Sequence, residues 1–202
     1  MSVLDILSQQ FDSKTIGNIA SQIDATPDAT LTAISGAVPA LLGGLSRNAA
    51  SPDGLGSLMN ALSGDHDGSL LDDLGGFLGG ALSGQRSADG GGILGHVLGG
   101  QRGQVESGLS RASGLSGQQI GRLLMILAPI VMAALSRARQ QKNLDHGGLG
   151  DMLHRESQRA DGATGGLGSI LLGGDQPGGG LDDLVKMGGG LLGSLFDGGS
   201  GR

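Results

Sequence analysis

The densest set of hard oxygen ligands in this chain is Asp65, Asp67, Ser69, Asp72 and Asp73, in the stretch Asp65-His66-Asp67-Gly68-Ser69-Leu70-Leu71-Asp72-Asp73. The chemistry such a stretch can do is calcium binding. Ca2+ takes about six to eight oxygens, and an Asp-x-Asp-Gly turn lets several of them converge because glycine permits the tight backbone. Laid over an EF-hand loop with Gly68 at the turn position, the two terminal ligand positions fall on Ser63 and Leu74, so both are weak or missing. The competing reading is structural: Asp67 or Ser69 caps the next helix, and Asp72 and Asp73 sit in its first turn, where a carboxylate favours the helix dipole. The motif Leu71-Asp72-Asp73-Leu74 returns as Leu181-Asp182-Asp183-Leu184, without an Asp-x-Asp-Gly before it. A metal site would therefore belong to the first half alone.

Other reactive constellations fail on spacing. His66, His96, His146 and His154 are not arranged as a zincin pair, and His96, among Gly95, Val97 and Leu98, reads as a packed or partly exposed side chain. There is no cysteine for a thiolate or a Cys-ligated metal. Lys14-Thr15 lacks the glycine of a phosphate loop, the Gly-Leu-Gly triplets at 54, 148 and 166 lack the third glycine of a dinucleotide fingerprint, and Ser46 and Ser136 occupy no nucleophile elbow. A non-enzymatic protein is expected, with no cofactor beyond Ca2+ and no evident small-molecule substrate. Arg137, Arg139 and Lys142, with Arg155 and Arg159 nearby, could contact phosphates, the helix after Ser116 serving as recognition element. The apolar run Leu124-Met125-Ile126-Leu127 and the net charge of −6 disfavour nucleic acid, and cations at a helix C-terminus have a bland use in complementing the dipole.

The elements that must position these residues are helices. Ser2 with Asp5, Ser13, Thr26-Pro27, and Ser116 with Gln119 read as helix starts. Leu31, Ile34, Val38, Leu41, Leu42 and Leu45 recur at helical spacing, as do Leu124, Leu127, Val131 and Leu135, and period-two strand patterns do not occur. The chain also repeats itself. Pro39-Ala40-Leu41-Leu42-Gly43-Gly44-Leu45-Ser46-Arg47 returns 90 residues later as Pro129-Ile130-Val131-Met132-Ala133-Ala134-Leu135-Ser136-Arg137, and a Gly-Leu-Gly sequel follows each copy. The expected fold is all-α, with two pseudo-repeated helical halves, 1–101 and 102–202. Each half would hold a long helix bent or split by its proline, together with short glycine-rich helices. Glycines at intervals of four, Gly76, Gly80 and Gly84, then Gly91, Gly95 and Gly99, suggest small-residue faces on which helix backbones approach closely.

Composition bounds the remaining classes. Among 202 residues there are 43 glycines and 5 prolines, yet 38% are hydrophobic and only 16% charged, which favours a packed chain over a disordered one. Three Phe with no Trp or Tyr leave little surface for stacking bases or sugars. Residues 1–101 carry 3 basic and 10 acidic groups, residues 102–159 carry 8 and 4. No signal segment is evident at the N-terminus, and the longest strongly apolar run, 123–135, is too short to span a bilayer, so a cytoplasmic protein is expected, with reversible membrane association left to its Gly-Leu segments.

The turn, the proline-containing helix and the Leu-Gly blocks resemble the bacterial YidB-like family, over roughly residues 3–160. That resemblance implies an all-helical fold without assigned catalytic activity, and a homeodomain-like helix arrangement by analogy with shorter members. The extra glycine-rich tail and the visible duplication depart from those members. The expected role is structural: an interaction protein forming a homo-oligomer through its glycine-zipper helices.

Overall fold

The computed structural model describes residues 2–63, 68–80 and 84–163. Within them the chain is all-α. Helices α1 (Val3–Gln10), α2 (Ser13–Gln22), α3 (Pro27–Asn48) and α4 (Pro52–Ser63) lead to a 3-10 turn (Ser69–Asp73) and the short α5 (Leu74–Gly79). Then come α6 (Gly84–Leu98), α7 (Arg102–Ser113), α8 (Gly117–Lys142) and α9 (His146–Ala163).

Local chemistry sets the helix starts. Ser2 and Asp5 form a reciprocal capping box on α1, and Ser116 and Gln119 form another on α8. Thr26 caps α3, with Pro27 at the first helical position. α2 starts at Ser13 as expected, and Asp12 just ahead of it is the cap, accepting from Thr15 N at 2.7 Å. Of the bend or split expected at each proline, the split does not occur: α3 and α8 each run as one helix through the buried Pro39 and Pro129.

α3 and α8 touch each other and carry the rest of the fold between them. The helix after each long helix rests mainly on the other one: α4 and the 3-10 turn pack on α8, while α9 packs along α3. α7 also lies on α3, α1 bridges α8 and α9, and α6 wedges against both long helices. Buried side chains from Val3 to Ala160 thus form one continuous core, to which residues on both sides of position 101 contribute. Each buried Leu or Ile adds about 1.5–3 kcal/mol of transfer free energy, so the central stretch of α8, buried from Ile126 to Ser136, is the largest local source of stability.

By length and composition α3 and α8 are each apolar enough to cross a membrane, which the unbroken apolar run did not suggest. The difference is that glycine, alanine and serine dilute the runs without making them polar. In this fold 67% and 83% of their most apolar windows are buried inside the protein.

The amino-terminal caps carry a pH signature. The backbone hydrogen bond from Ser2 lowers the pKa of Asp5, and that from Thr15 lowers the pKa of Asp12. A depressed folded-state pKa gives stability that is present above the ordinary aspartate value and is lost as pH falls through the folded value. We expect the protection of amides in α1 and α2, taken relative to the intrinsic exchange rate at each pH, to fall on acidification below the ordinary aspartate range. Asp12→Asn, which keeps a capping oxygen without the charge, should flatten that loss of protection in α2; an unchanged profile would refute the assignment.

Candidate functional site

A cleft of about 390 Å³ opens where the α3–α4 corner faces α6 across α8. Its floor is apolar: Leu45 from α3, Leu58 and Ala61 from α4, Ile93 and Val97 from α6, and Met132 from α8. Its rim is polar, with Asn48, Ser51, Asp53, Ser57 and His96.

Two glycines let the walls come together. A Cβ on Gly44 would stand 2.6 Å from the Val97 carbonyl oxygen, and one on Gly54 would stand 2.0 Å from the Asn48 carbonyl oxygen. α3 can therefore approach the end of α6, and α4 can turn sharply off α3, because neither position carries a side chain. Asn48 Nδ2 donates to the His96 carbonyl at 3.0 Å and fastens the same two walls.

Ser51, on the rim, is tied to the backbone of the turn. Ser51 Oγ donates to the Asn48 carbonyl at 3.3 Å and accepts from Gly54 N at 3.1 Å, so its hydroxyl serves the turn into α4. His96 is exposed, as the partly exposed alternative anticipated. The arrangement suits an apolar group with a polar end lying at the mouth. Asn48 and Asp53 were not singled out from sequence, and His96 was read there without these neighbours, since the three come together only when α3, α4 and α6 do.

Of the candidate calcium ligands, Asp65 and Asp67 lie outside the described residues. Asp72 is ion-paired with Arg137. Asp73 caps α5, accepting from Gly76 N at 2.9 Å, whereas the sequence had pointed to Asp67 or Ser69 for the helix cap. Ser69 opens the 3-10 turn, and Gly68 ahead of it has φ +94°, a left-handed conformation that suits glycine. Among the described residues no three His, Asp or Glu side chains are grouped to hold a metal.

The candidate nucleic-acid residues are partly occupied internally. Arg137 holds the 3-10 turn through Asp72, Arg139 Nη1 donates to Ser63 Oγ at 3.0 Å, and Lys142 is exposed in the last turn of α8. Of the glycine series, Gly76 provides the capped amide of α5, Gly80 ends α5 and Gly84 begins α6. Gly91, Gly95 and Gly99 look into open space, with nothing within 4 Å of a Cβ placed on them. The glycine that meets another backbone is Gly90, one residue away, where a Cβ would lie 2.3 Å from the Met125 carbonyl oxygen.

Sequence reasoning also passed over Glu156. It is 2% exposed on α9 and accepts from Leu4 N at 3.3 Å, at the start of α1. Its signal was present: Leu149, Met152, Leu153, Glu156 and Ala160 follow one helical stripe, with a carboxylate in an apolar register.

The family model for a bacterial protein of unknown function, DUF937, matches residues 5–138, from within α1 almost to the end of α8. The chain belongs to this family. The YidB-like resemblance is consistent with the assignment. No curated protein and no solved structure matches the chain. All the residues lining the cleft, the whole of α3 and all but the last four residues of α8 fall within the DUF937 region, whereas α9, with Glu156, lies beyond it.

Proposed function

We propose that this DUF937 chain is a non-enzymatic interaction protein that self-associates through the outer face of α6. The observation that carries the reading is the row Gly91, Gly92 and Gly95, with Gly99 just past the end of the helix, around which a Cβ would meet nothing within 4 Å. A helix from a second copy can approach such a face to backbone distance, which multiplies weak dispersion contacts. The cleft beside α6 offers a place for an apolar side chain of that copy. Among the described residues Leu31, at 47%, is the exposed large hydrophobic, so close helix contact supports association better than an apolar patch does. A cytoplasmic location belongs to the same reading, supported by the burial of α3 and α8 within the protein.

Light scattering after size exclusion, at micromolar concentration and with refractive-index detection, tests it. The wild-type chain should run as an oligomer and Gly95→Leu as a monomer of unchanged helicity, since the substitution enters open space within one copy. A monomeric wild-type protein would sink the proposal, as would an oligomer indifferent to Gly95→Leu.

A further inference from the structure

We propose that residues 181–184, near the C-terminus, dock on α3 with Asp182 paired to Arg47, as residues 71–74 dock on α8 with Asp72 paired to Arg137. The inference rests on the packing of α3 and α8 and is independent of self-association.

Three observations meet. First, segments following one long helix lie on the other: α4 and the 3-10 turn on α8, and α9 on α3. Second, the contact on α8 is specific. Gly68 lies against the Ala133 carbonyl and Arg137, Leu71 and Leu74 are buried at 5% and 7%, and Asp72 holds the Arg137 guanidinium. Ninety residues earlier, Gly43 and Arg47 occupy the register of Ala133 and Arg137 in the repeated segment. Yet Arg47 is exposed and makes no ion pair among the described residues, and Ser46 is half-buried where its counterpart Ser136 is fully buried and donates to the Leu62 carbonyl at 3.0 Å. The end of α3 is the less covered of the two. Third, the Leu-Asp-Asp-Leu sequence that covers the end of α8 occurs again, at 181–184, outside the described residues.

Reach and charge agree with this occupant. The chain between 163 and 181 can extend up to about 60 Å. The region beyond α9 carries Asp175, Asp182, Asp183 and Asp197 against Lys186 and Arg202, so it is acidic where Arg47 offers a cation. Beside Arg47 an open groove of about 250 Å³ runs between Gly44 and the end of α6 at Val97 and Leu98, giving the two leucines an apolar wall. The leucines contribute burial, and the ion pair fixes the register.

The absence of cysteine makes the test direct. In the full chain, Arg47→Cys with Asp182→Cys should form a disulfide within one chain under mild oxidation, at a rate comparable to Asp72→Cys with Arg137→Cys. Arg47→Cys with Ser8→Cys serves as the control for random collision. Separately, Arg47→Glu should speed amide exchange at 181–184 about fivefold, and adding Asp182→Arg should reverse it. A disulfide no faster than the control, or amide exchange at 181–184 indifferent to Arg47→Glu, overturns the proposal. A disulfide formed only between chains also overturns it, and assigns the groove to a second copy.

Discussion

Gly90→Ala should destabilise the protein by about 3 kcal/mol, while Gly95→Ala, five residues on in the same helix, should stabilise it by up to about 1 kcal/mol. Pro129 has no N–H, so the Met125 carbonyl loses its usual donor four residues ahead. That carbonyl lies against Gly90, where an added Cβ would stand 2.3 Å from the oxygen and 3.1 Å from the carbon. The obstacle is backbone, which cannot swing aside as a side chain would, so α6 must lift from α8. Lifting it would loosen Leu94, Val97 and Leu98, all buried on the same side. Within one copy a methyl at Gly95 meets nothing within 4 Å, so the fold itself gains helix propensity, while any loss at the proposed α6 contact is read separately from the oligomeric state. Urea unfolding followed by circular dichroism measures both, and equal effects of the same sign would refute this packing.

Glu156→Ala should cost about 2–4 kcal/mol and release α1 before the rest of the fold. The carboxylate is 2% exposed, its Oε2 accepts from Leu4 N at 3.3 Å, and Arg159 approaches Oε1 at 3.7 Å. Removing it leaves a void and a backbone donor without its partner. The favourable terms are the hydrogen bond and the positive end of α1, and desolvation of the carboxylate opposes them. Glu156→Gln keeps the acceptor and volume while discarding the charge, so its cost should be about 1 kcal/mol. Hydrogen exchange at Leu4, read beside the global midpoint, separates local release from general loss. If Glu156→Ala leaves the Leu4 amide as protected as before, Glu156 is not what holds α1.

These two residues also show what a linear reading can and cannot reach. The starts of α1, α3 and α8 were legible because a cap and its amide lie within three residues of each other. The two long helices were legible because their apolar spacing survives wherever they are buried. Glu156 was visible as a charge in an apolar stripe, but its partner, Leu4, lies 152 residues away. The glycine series had the right period and an ambiguous phase. Gly91, Gly95 and Gly99 share a spacing of four, as do Gly90, Leu94 and Leu98, and a rotation of one residue exchanges inside for outside.

Asp72, Asp73 and Arg137 make the same point for the candidate site. Their residue types admit a cation site or a phosphate-binding patch, and the fold gives Asp73 to a helix cap and joins Asp72 to Arg137. Acidic and basic groups distant in sequence become neighbours because the helix after each long helix crosses to the other. The rim of Asn48, Asp53 and His96 exists for a related reason, since its residues come from three helices.

By itself, the sequence determined the helical class, the main capped starts, the apolar faces of α3 and α8, and the duplication that places Arg47 and Arg137 in register. Those features depend on interactions within a few residues, or on a pattern repeated along one chain. Tertiary structure decided which glycine meets a backbone, which carboxylate is buried, where a cleft opens and which long helix receives each following segment. Those outcomes depend on helix rotation and on contacts between distant parts of the chain, which local spacing does not encode.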